Sequence, residues 1–280
     1  MQFNYIVGNG YSGTTILNLV LGCSECAFSL GEFKYFEMAK REGLKCDCGE
    51  IVPDCSFWRN INVPKQFYNR KVSKYKKVQI LLEFLGLKKK RQHFESVEFY
   101  EDVLRKAKQH KDIDVNALID SSKDPFRAMY LSNIGLDINF IHVVKDIRNF
   151  AYSSYKRKRF KWRLVLSWLL VNILVAVLFQ VKDVTYMRLG HRNFCVKLDK
   201  SLDRLEDFAN ISVNKDTLIS NINMEEYHNF AGNILRGSRI EAIYYNDKWK
   251  TELPVYLRVI LGIFFYIPNK VLIYRDALRR

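Results

Sequence analysis

The chain has 280 residues, of which 48% are hydrophobic, so it can bury a sizeable core and is not a globally disordered protein. It carries 45 Lys and Arg against 30 Asp and Glu, and this formal net charge of +15 favours anionic partners such as nucleotides, anionic glycans, nucleic acid or an acidic membrane surface. The first residues lack a basic stretch followed by a long apolar run. We therefore expect no secretory signal and a cytoplasmic protein whose six cysteines are thiols or metal ligands.

Short apolar strands alternate with helical stretches along the chain. Strands are predicted at residues 3–7, 115–119, 138–144 and 194–198, and a helix is predicted at residues 95–110. A basic stretch rich in Tyr and Leu indicates a helical insertion at about residues 60–112. The alternation predicts one α/β domain over residues 1–280, with a P-loop-like three-layer fold in which helices flank a central parallel sheet.

The first predicted strand runs into a glycine-rich turn and then a helix. Such a turn lets backbone N–H groups close around a phosphate at the helix N-terminus, where the helix dipole also favours an anion. The glycines and hydroxyls available for this are Gly8, Gly10, Ser12, Gly13, Thr14 and Thr15. The spacing imitates the Walker A loop, but Thr14 stands at the lysine position, which disfavours NTP hydrolysis. A tight turn that binds nothing is the alternative.

Several motifs in chain order resemble those of sulfotransferases that use 3′-phosphoadenosine-5′-phosphosulfate (PAPS), in particular the bacterial branch, with segments similar to tyrosylprotein sulfotransferases. The resemblance covers about residues 5–253. The segments that carry it are the loop at 8–17, Leu30-Gly31-Glu32, the cysteine-containing stretch 46–58, Asp120 to Phe126, Lys145 to Arg148 with Ser153, His228 to Arg236, and Asp247 to Trp249. It implies transfer of a sulfuryl group from PAPS to an acceptor hydroxyl, with 3′,5′-ADP as the product and no metal required.

The resemblance also implies roles for individual residues. Glu32 would act as the general base, and Lys123 would stabilise the sulfuryl and bridging oxygens. Lys145 and Ser153 would hold the 3′-phosphate. The remaining nucleotide contacts would come from Gly10, Tyr11, Ser12, Gly13, Thr14, Thr15, Arg148, Arg236 and Gly237. For Arg148 and Arg236, a solvated arginine in a surface ion pair or alone is an equally good interpretation.

Two residues depart from the family pattern. Tyr11 stands where the family usually has Arg or Lys, and a phenol brings no positive charge at neutral pH. Lys145 replaces the usual Arg, which keeps the charge but loses the bidentate fork. A weakened or inactive family member is therefore an alternative to an active enzyme.

The cysteine pattern does not predict a metal site. Cys46 and Cys48 are closer together than the usual Cys-x₂-Cys pair, and no histidine lies near them or Cys55 in the sequence. Buried thiols or a redox pair are therefore favoured over metal ligands. Cys195 is expected on the fourth strand, packed in the core.

Two apolar runs bear on membrane attachment. Residues 164–181 are long enough for a borderline span, but spanning would put the Lys145 and Arg236 segments on opposite sides of the bilayer. We interpret the run as a buried or membrane-contacting helix. The second run, 255–267, is too short to span. Together with the basic excess, these runs permit peripheral attachment at the inner membrane.

Two other classes of function compete with sulfuryl transfer. A nucleotide or sugar kinase on a P-loop fold would need the missing Walker lysine. A basic nucleic-acid-binding or membrane-surface module would account for the charge but not for the ordered motifs, so no nucleic-acid partner is expected. For a sulfotransferase the first choice of acceptor is a carbohydrate or glycolipid, and a protein tyrosine is the second.

Overall fold

A six-stranded sheet forms the centre of the structure, a computed structural model that describes residues 1–64, 67–68, 72–89, 95–182, 184–232, 238–273 and 277–279. Five strands are parallel, and the sixth pairs antiparallel with the fifth in the order β2-β3-β1-β4-β5-β6. The strands are β1 (Gln2–Gly8), β2 (Ala27–Gly31), β3 (Ala117–Lys123), β4 (Ile138–Val144), β5 (Tyr186–Gly190) and β6 (Ala277–Arg279).

Helices follow the strands and cover both faces of the sheet. They are α1 (Thr14–Gly22), α2 (Phe36–Glu42), α3 (Lys74–Phe84), α4 (Val97–Lys111), α5 (Pro125–Asn133), α6 (Ile147–Lys156), α7 (Trp162–Val181), α8 (His191–Val196), α9 (Leu198–Ala209), α10 (Leu218–Met224), α11 (Trp249–Glu252), α12 (Val255–Phe264) and α13 (Tyr266–Ile273). Several begin at a side chain that accepts a hydrogen bond from a first-turn backbone N–H, as Asp124 does for α5 and Asp146 for α6.

Alternate side chains along β1 point to opposite faces of the sheet and pack in two separate core layers. Phe3, Tyr5 and Val7 pack with the aromatic residues on one face of the sheet, whereas Ile6 packs with α1 and α9 on the other. The five parallel strands β1 to β5 are therefore buried on both faces, as parallel sheets require. The predicted α/β fold class, a parallel sheet between helical layers, is confirmed.

The fourth predicted strand is wrong. Residues 194–198 lie mainly in α8, and the strand beside β4 is β5, eight residues earlier. Arg188, buried at the centre of β5, breaks the apolar pattern there, so the more apolar stretch after it resembled a strand. Cys195 is consequently half-buried on a helix rather than packed on a core strand.

The remaining predicted elements lie close to helices that the structure contains. Helix α4 corresponds to the predicted helix at 95–110, and α3 and α4 both lie within the segment at about 60–112. The apolar run at 164–181 forms α7, and the run at 255–267 divides between α12 and α13, which are bent by 71°. That residues 1–280 form one domain with an insertion stays a prediction.

The strand order decides which loops meet. Four successive strands, β2, β3, β1 and β4, end at one edge of the sheet. Their carboxyl ends carry Glu32, Lys123, the glycine-rich loop and Lys145. Ligands of parallel α/β sheets bind at such an edge.

Candidate functional site

The glycine-rich loop presents hydrogen-bond donors at the start of α1. Gly13 precedes this helix with φ 87°, and no side chain among the described residues caps the first turn. The Ser12 hydroxyl is buried and has no hydrogen-bond partner within the described part of the chain. A buried, unpaired hydroxyl beside uncapped backbone N–H groups is an arrangement that an anionic ligand would satisfy.

His191, the first residue after β5, packs against the glycine-rich loop at Gly13. A Cβ atom at residue 13 would lie 2.1 Å from the His191 ring, so only glycine allows this approach. Burial, with a smaller effect from the nearby Lys145 ammonium, lowers the pKa of His191 to about 3, so the imidazole is neutral. Its Nδ1 atom also has no partner among the described residues. Sequence reasoning missed this residue, although Gly190 before it marks a strand end.

Tyr11 lies beside a positively charged side chain. The residue has a left-handed backbone (φ 67°), and its ring packs edge-on against Phe150 at a centroid distance of 6.1 Å. The Arg157 guanidinium lies over the same ring, 5.4 Å from its centroid. A cation from the end of α6 thus stands beside the Tyr11 ring.

Glu32 and Lys123 form an ion pair at the ends of β2 and β3. Lys123 Nζ lies 2.6 Å from Glu32 Oε1, and the side chains are only 12% and 11% exposed, respectively. Lys123 has φ 67°, a conformation that costs a non-glycine residue free energy and that clusters at functional sites. Lys34 lies close by and donates to the Ser122 carbonyl at 2.7 Å, and burial lowers the pKa of its ammonium.

A buried network holds the Lys123 loop in place. Asp120 accepts a hydrogen bond from the Ser122 backbone N–H at 2.8 Å and another from Arg127 Nε at 3.0 Å. Arg127 also lies 3.4 Å from Glu95, and the side chains of Arg127, Asp120 and Glu95 are fully buried. Asp120 therefore acts on this loop through backbone and arginine contacts.

Lys145, directly after β4, contacts Ser153 of α6. Lys145 Nζ donates to Ser153 Oγ at 3.0 Å, and Ser153 in turn donates to the Asn149 carbonyl. Burial lowers the pKa of Lys145 to about 8. Trp168 of α7 donates its indole N–H to the Lys145 carbonyl at 2.9 Å and so fixes the backbone of this strand end.

Arg148 makes two side-chain interactions near the start of α6, one with Asp146 and one with Trp249. It binds both oxygens of Asp146, with distances of 2.7 and 3.0 Å, and its guanidinium lies 4.3 Å from the centroid of a Trp249 ring. An adjoining cleft of about 760 Å³ is lined by Arg148, Arg192, Cys195, Tyr245 and Trp249, among others. A basic and aromatic lining of this kind suits an anionic ligand that carries a flat ring.

The predicted site residues fall into neighbouring groups. Glu32 contacts Lys123, Lys145 contacts Ser153, and Thr15 and Glu32 line the same small cavity. Gly10 and Thr14 lie in the loop and first turn of α1. Arg236 and Gly237 lie outside the described residues.

Comparison with solved structures places this architecture among known folds. The sulfotransferase domain from the Synechococcus PCC 7002 olefin synthase is similar, with a TM-score of 0.53 and 15% sequence identity over 94% of this chain and 94% of that chain. The sulfotransferase domain from the curacin biosynthetic pathway aligns with a TM-score of 0.48 and 13% identity over 95% of this chain and 97% of that chain. No protein-family model and no curated protein matches the sequence. The first similarity establishes that this chain has the fold of a sulfotransferase domain.

Proposed function

We propose that this protein is a PAPS-dependent sulfotransferase that moves a sulfuryl group to an acceptor hydroxyl. The observation that carries the proposal is the Glu32–Lys123 pair. It lies at the ends of β2 and β3, and β3 is the neighbour of β1, which leads into the glycine-rich loop with the Ser12 hydroxyl that has no partner among the described residues. A carboxylate and an ammonium held together beside an anion site provide the two charged groups that in-line sulfuryl transfer needs.

PAPS supplies the sulfuryl group, and 3′,5′-ADP leaves when the bond from sulfur to the phosphate oxygen breaks as the bond to the acceptor oxygen forms. Glu32 accepts the acceptor's hydroxyl proton. Lys123 turns from Glu32 towards the developing negative charge, where an ammonium in a site of low polarity is most effective. The backbone N–H groups and hydroxyls at the start of α1 hold the 5′ end of the nucleotide.

Lys145 and Ser153 bind the 3′-phosphate in this proposal. Arg148, with the cleft beside Trp249, binds the adenosine part of the donor. Arg157 offers the positive charge that Tyr11 lacks, which supports an active enzyme over a weakened one. A nucleotide kinase is the second candidate, but Thr14 occupies the lysine position of its phosphate loop.

Binding of 3′,5′-ADP tests the nucleotide assignment directly. Labelled PAPS should bind without Mg²⁺ and be displaced by 3′,5′-ADP but not by ATP. The variant Lys145→Met should bind 3′,5′-ADP about 10- to 100-fold more weakly, because a hydrogen bond to a charged phosphate is lost, while its weak affinity for 5′-AMP stays unchanged. Lys200→Met, an exposed lysine on α9, is the matched control. Mg²⁺-dependent binding of ATP instead would favour the kinase.

The same assay has a pH dependence. Because burial lowers the pKa of Lys145 to about 8, its ammonium is present below that pH and is lost as the pH rises through it. Affinity for 3′,5′-ADP should therefore decline above pH 8, and the Lys145→Met variant should not show this decline. A wild-type profile that is flat across pH 8 would remove Lys145 from the 3′-phosphate site.

For the acceptor we propose a carbohydrate or glycolipid hydroxyl, with a protein tyrosine as the second choice. The cationic surface suits an anionic glycan. Screening glycans, lipid-linked sugars and tyrosine peptides with ³⁵S-labelled PAPS would identify the class.

An exposed apolar surface supports peripheral contact with a membrane. On α7, exposed Trp162, Leu166, Leu170, Ile173 and Val177 recur every three or four residues and form one stripe. Exposed apolar residues also cover α12 and α13, namely Val255, Tyr256, Val259, Ile263, Phe264, Tyr266 and Ile267. The exposed basic residues Lys156, Arg157, Lys158, Arg159, Lys161 and Arg163 precede or begin α7. We propose that this face lies on the anionic cytoplasmic surface of the inner membrane.

The packing of α7 favours this arrangement over a span. By length and composition α7 could cross a membrane, and so could α12 and α13 if the bent pair counts as one span. However, Trp168 is fully buried against Lys145, and Asn172 contacts His142 on the sheet at 2.9 Å. A span would have to break these contacts.

Vesicle binding tests the proposed membrane face. The protein should co-sediment with vesicles that contain anionic phospholipid, and less so at high salt. Leu170→Glu should weaken this binding at least about tenfold, because a buried leucine side chain is worth about 1.5–3 kcal/mol. Met224→Glu, at an even more exposed apolar position on α10, should have no effect. Equal binding of the two variants, or no binding of the wild type, would contradict the proposal.

A further inference from the structure

Three thiols and one imidazole converge on a single point away from the Glu32–Lys123 pair. They belong to Cys46, Cys48, Cys55 and His228, and their Sγ and Nδ1 atoms all lie within 4.8 Å of one another. The sequence gives no hint of a histidine here, because His228 lies 173 residues after Cys55. The thiols of Cys46 and Cys55 are buried, as is the imidazole.

The distances are those of a tetrahedral site. With Zn–S near 2.3 Å and Zn–N near 2.0–2.1 Å, tetrahedral geometry puts sulfur atoms about 3.8 Å apart and sulfur and nitrogen about 3.6 Å apart. Cys55 Sγ lies 3.7 Å from Cys46 Sγ and 3.7 Å from Cys48 Sγ. His228 Nδ1 lies 3.2 Å from Cys55 Sγ and 3.9 Å from Cys46 Sγ. These four distances fit one tetrahedral ion, and all pairs of the four donor atoms lie within 4.8 Å.

The local fold builds this cluster from two segments. The first is a tight turn closed by the bridge between Lys45 and Ile51, in which Gly49 has φ 98°, and the residues directly after it, where Cys55 N–H donates to the Ile51 carbonyl at 2.9 Å. The second is the stretch that follows α10, which is tied to the turn because Asp47 N–H donates to the Asn229 carbonyl at 2.8 Å. The indole of Trp58 donates to the His228 carbonyl at 2.6 Å and fixes the backbone of that residue.

A second histidine orients the first. His228 Nε2 lies 2.8 Å from His110 Nε2 on α4. With a metal on Nδ1, His228 carries its proton on Nε2 and donates it to His110. Histidines that bind metals almost always make such an outer hydrogen bond, which sets the tautomer and the ring orientation.

We infer that Cys46, Cys48, Cys55 and His228 bind a structural Zn²⁺ ion. Three thiolates and an imidazole are the soft donor set that selects zinc over Mg²⁺ or Ca²⁺, and four protein ligands leave no open position for a reaction. On binding, the three thiols release three protons to solvent and His228 stays neutral, so the complete cluster carries one negative charge.

The ion would stabilise the segment from His228 to Gly232, which lies beside the candidate active site. Asn229, next to His228, accepts a hydrogen bond from Ser29 of β2 at 2.9 Å. A Cβ atom at residue 232 would lie 3.3 Å from Glu32 Oε1, so this segment passes directly against the proposed base. Zinc thus positions the segment without touching the reacting atoms.

Metal analysis tests the inference without any activity assay. Protein purified without chelators should contain one zinc ion per chain by plasma mass spectrometry. Cys55→Ser and His228→Ala should lose it, whereas His228→Cys should retain it, because a fourth thiolate also completes a tetrahedral site. Cys26→Ser, a half-buried cysteine outside the cluster, is the matched control and should keep its zinc.

A spectroscopic experiment on the wild-type protein tests the site even if the variants fail to fold. Wild-type protein grown with Co²⁺ in place of zinc should show thiolate-to-cobalt charge-transfer absorption and the intense visible bands of tetrahedral Co²⁺. A thiol-blocking mercurial should release the ion. Substoichiometric zinc, a Cys46–Cys55 disulfide in the intact mass, or octahedral cobalt spectra would each overturn the inference.

Discussion

Replacing Glu32 with glutamine is expected to lower sulfuryl transfer by about 10²- to 10⁴-fold while PAPS and 3′,5′-ADP still bind. Glutamine keeps the shape of the side chain but cannot accept the acceptor's proton. It also leaves Lys123 without its carboxylate partner 2.6 Å away, so donor affinity should be equal or slightly higher. Transfer is measured as ³⁵S incorporated into the acceptor that the screen identifies, and binding by displacement of labelled PAPS.

Glu37→Gln provides the matched control. Glu37 is an acidic residue on α2, five positions further on, which pairs with Arg41 at the surface. Its substitution should leave transfer unchanged. If Glu32→Gln turned over at the wild-type rate, another group would have to take the proton, and the role assigned to Glu32 would be lost.

Replacing Arg127 with methionine is expected to destabilise the fold by about 3–5 kcal/mol. Arg127 is the only cation that the described contacts place directly on both Asp120 and Glu95, and all three side chains are fully buried. Removing it leaves two carboxylates in the interior without a compensating charge. The free energy of unfolding is measured from urea denaturation.

The loss should be smaller at acidic pH. Burial raises the pKa of Glu95, and removing Arg127 raises it further, because the arginine opposes that shift. A carboxyl whose folded pKa is raised destabilises the fold at high pH, and the cost is relieved as the pH falls and the group takes up a proton. The gap between variant and wild type should therefore narrow as the pH falls towards 4–5 (about the ordinary carboxyl range).

Arg105→Met is the control for the stability experiment. Arg105 pairs with Asp102 on the surface of α4, where its side chain is 61% exposed. Exposed pairs of this kind are worth about 0–1 kcal/mol. An Arg127→Met midpoint as close to wild type as that of Arg105→Met would show that the buried network does not stabilise the fold.

The sequence was most informative where local pattern and long-range structure agree. Strand β4 has the predicted limits, and the turn into α1 follows from its glycines. Strand β2 was not predicted, because Ala27–Gly31 is short and holds a serine at its centre. Strand β5 was misplaced because Arg188 is buried there through contacts that no local pattern encodes.

In the candidate site, too, local contacts could be predicted from the sequence and contacts between distant segments could not. Lys145 and Ser153 are eight residues apart, so their contact follows from a strand end and the helix after it. By contrast, Arg157 beside Tyr11 and His228 beside the cysteines depend on packing between distant segments. A single sequence shows the residue types that a site needs, but tertiary contacts decide which of them supply it.

The left-handed backbone at Lys123 bears on any effort to engineer this protein for heat resistance. Glycine adopts that conformation freely, whereas lysine forfeits about 1–3 kcal/mol of folding stability to hold it. Glycine at this position would relieve the strain, but it would leave the Glu32 carboxylate, which is only 11% exposed, without its ammonium partner. The same ammonium is therefore needed by the ion pair and by the proposed reaction, and a more thermostable variant would have to gain stability at other positions in the chain.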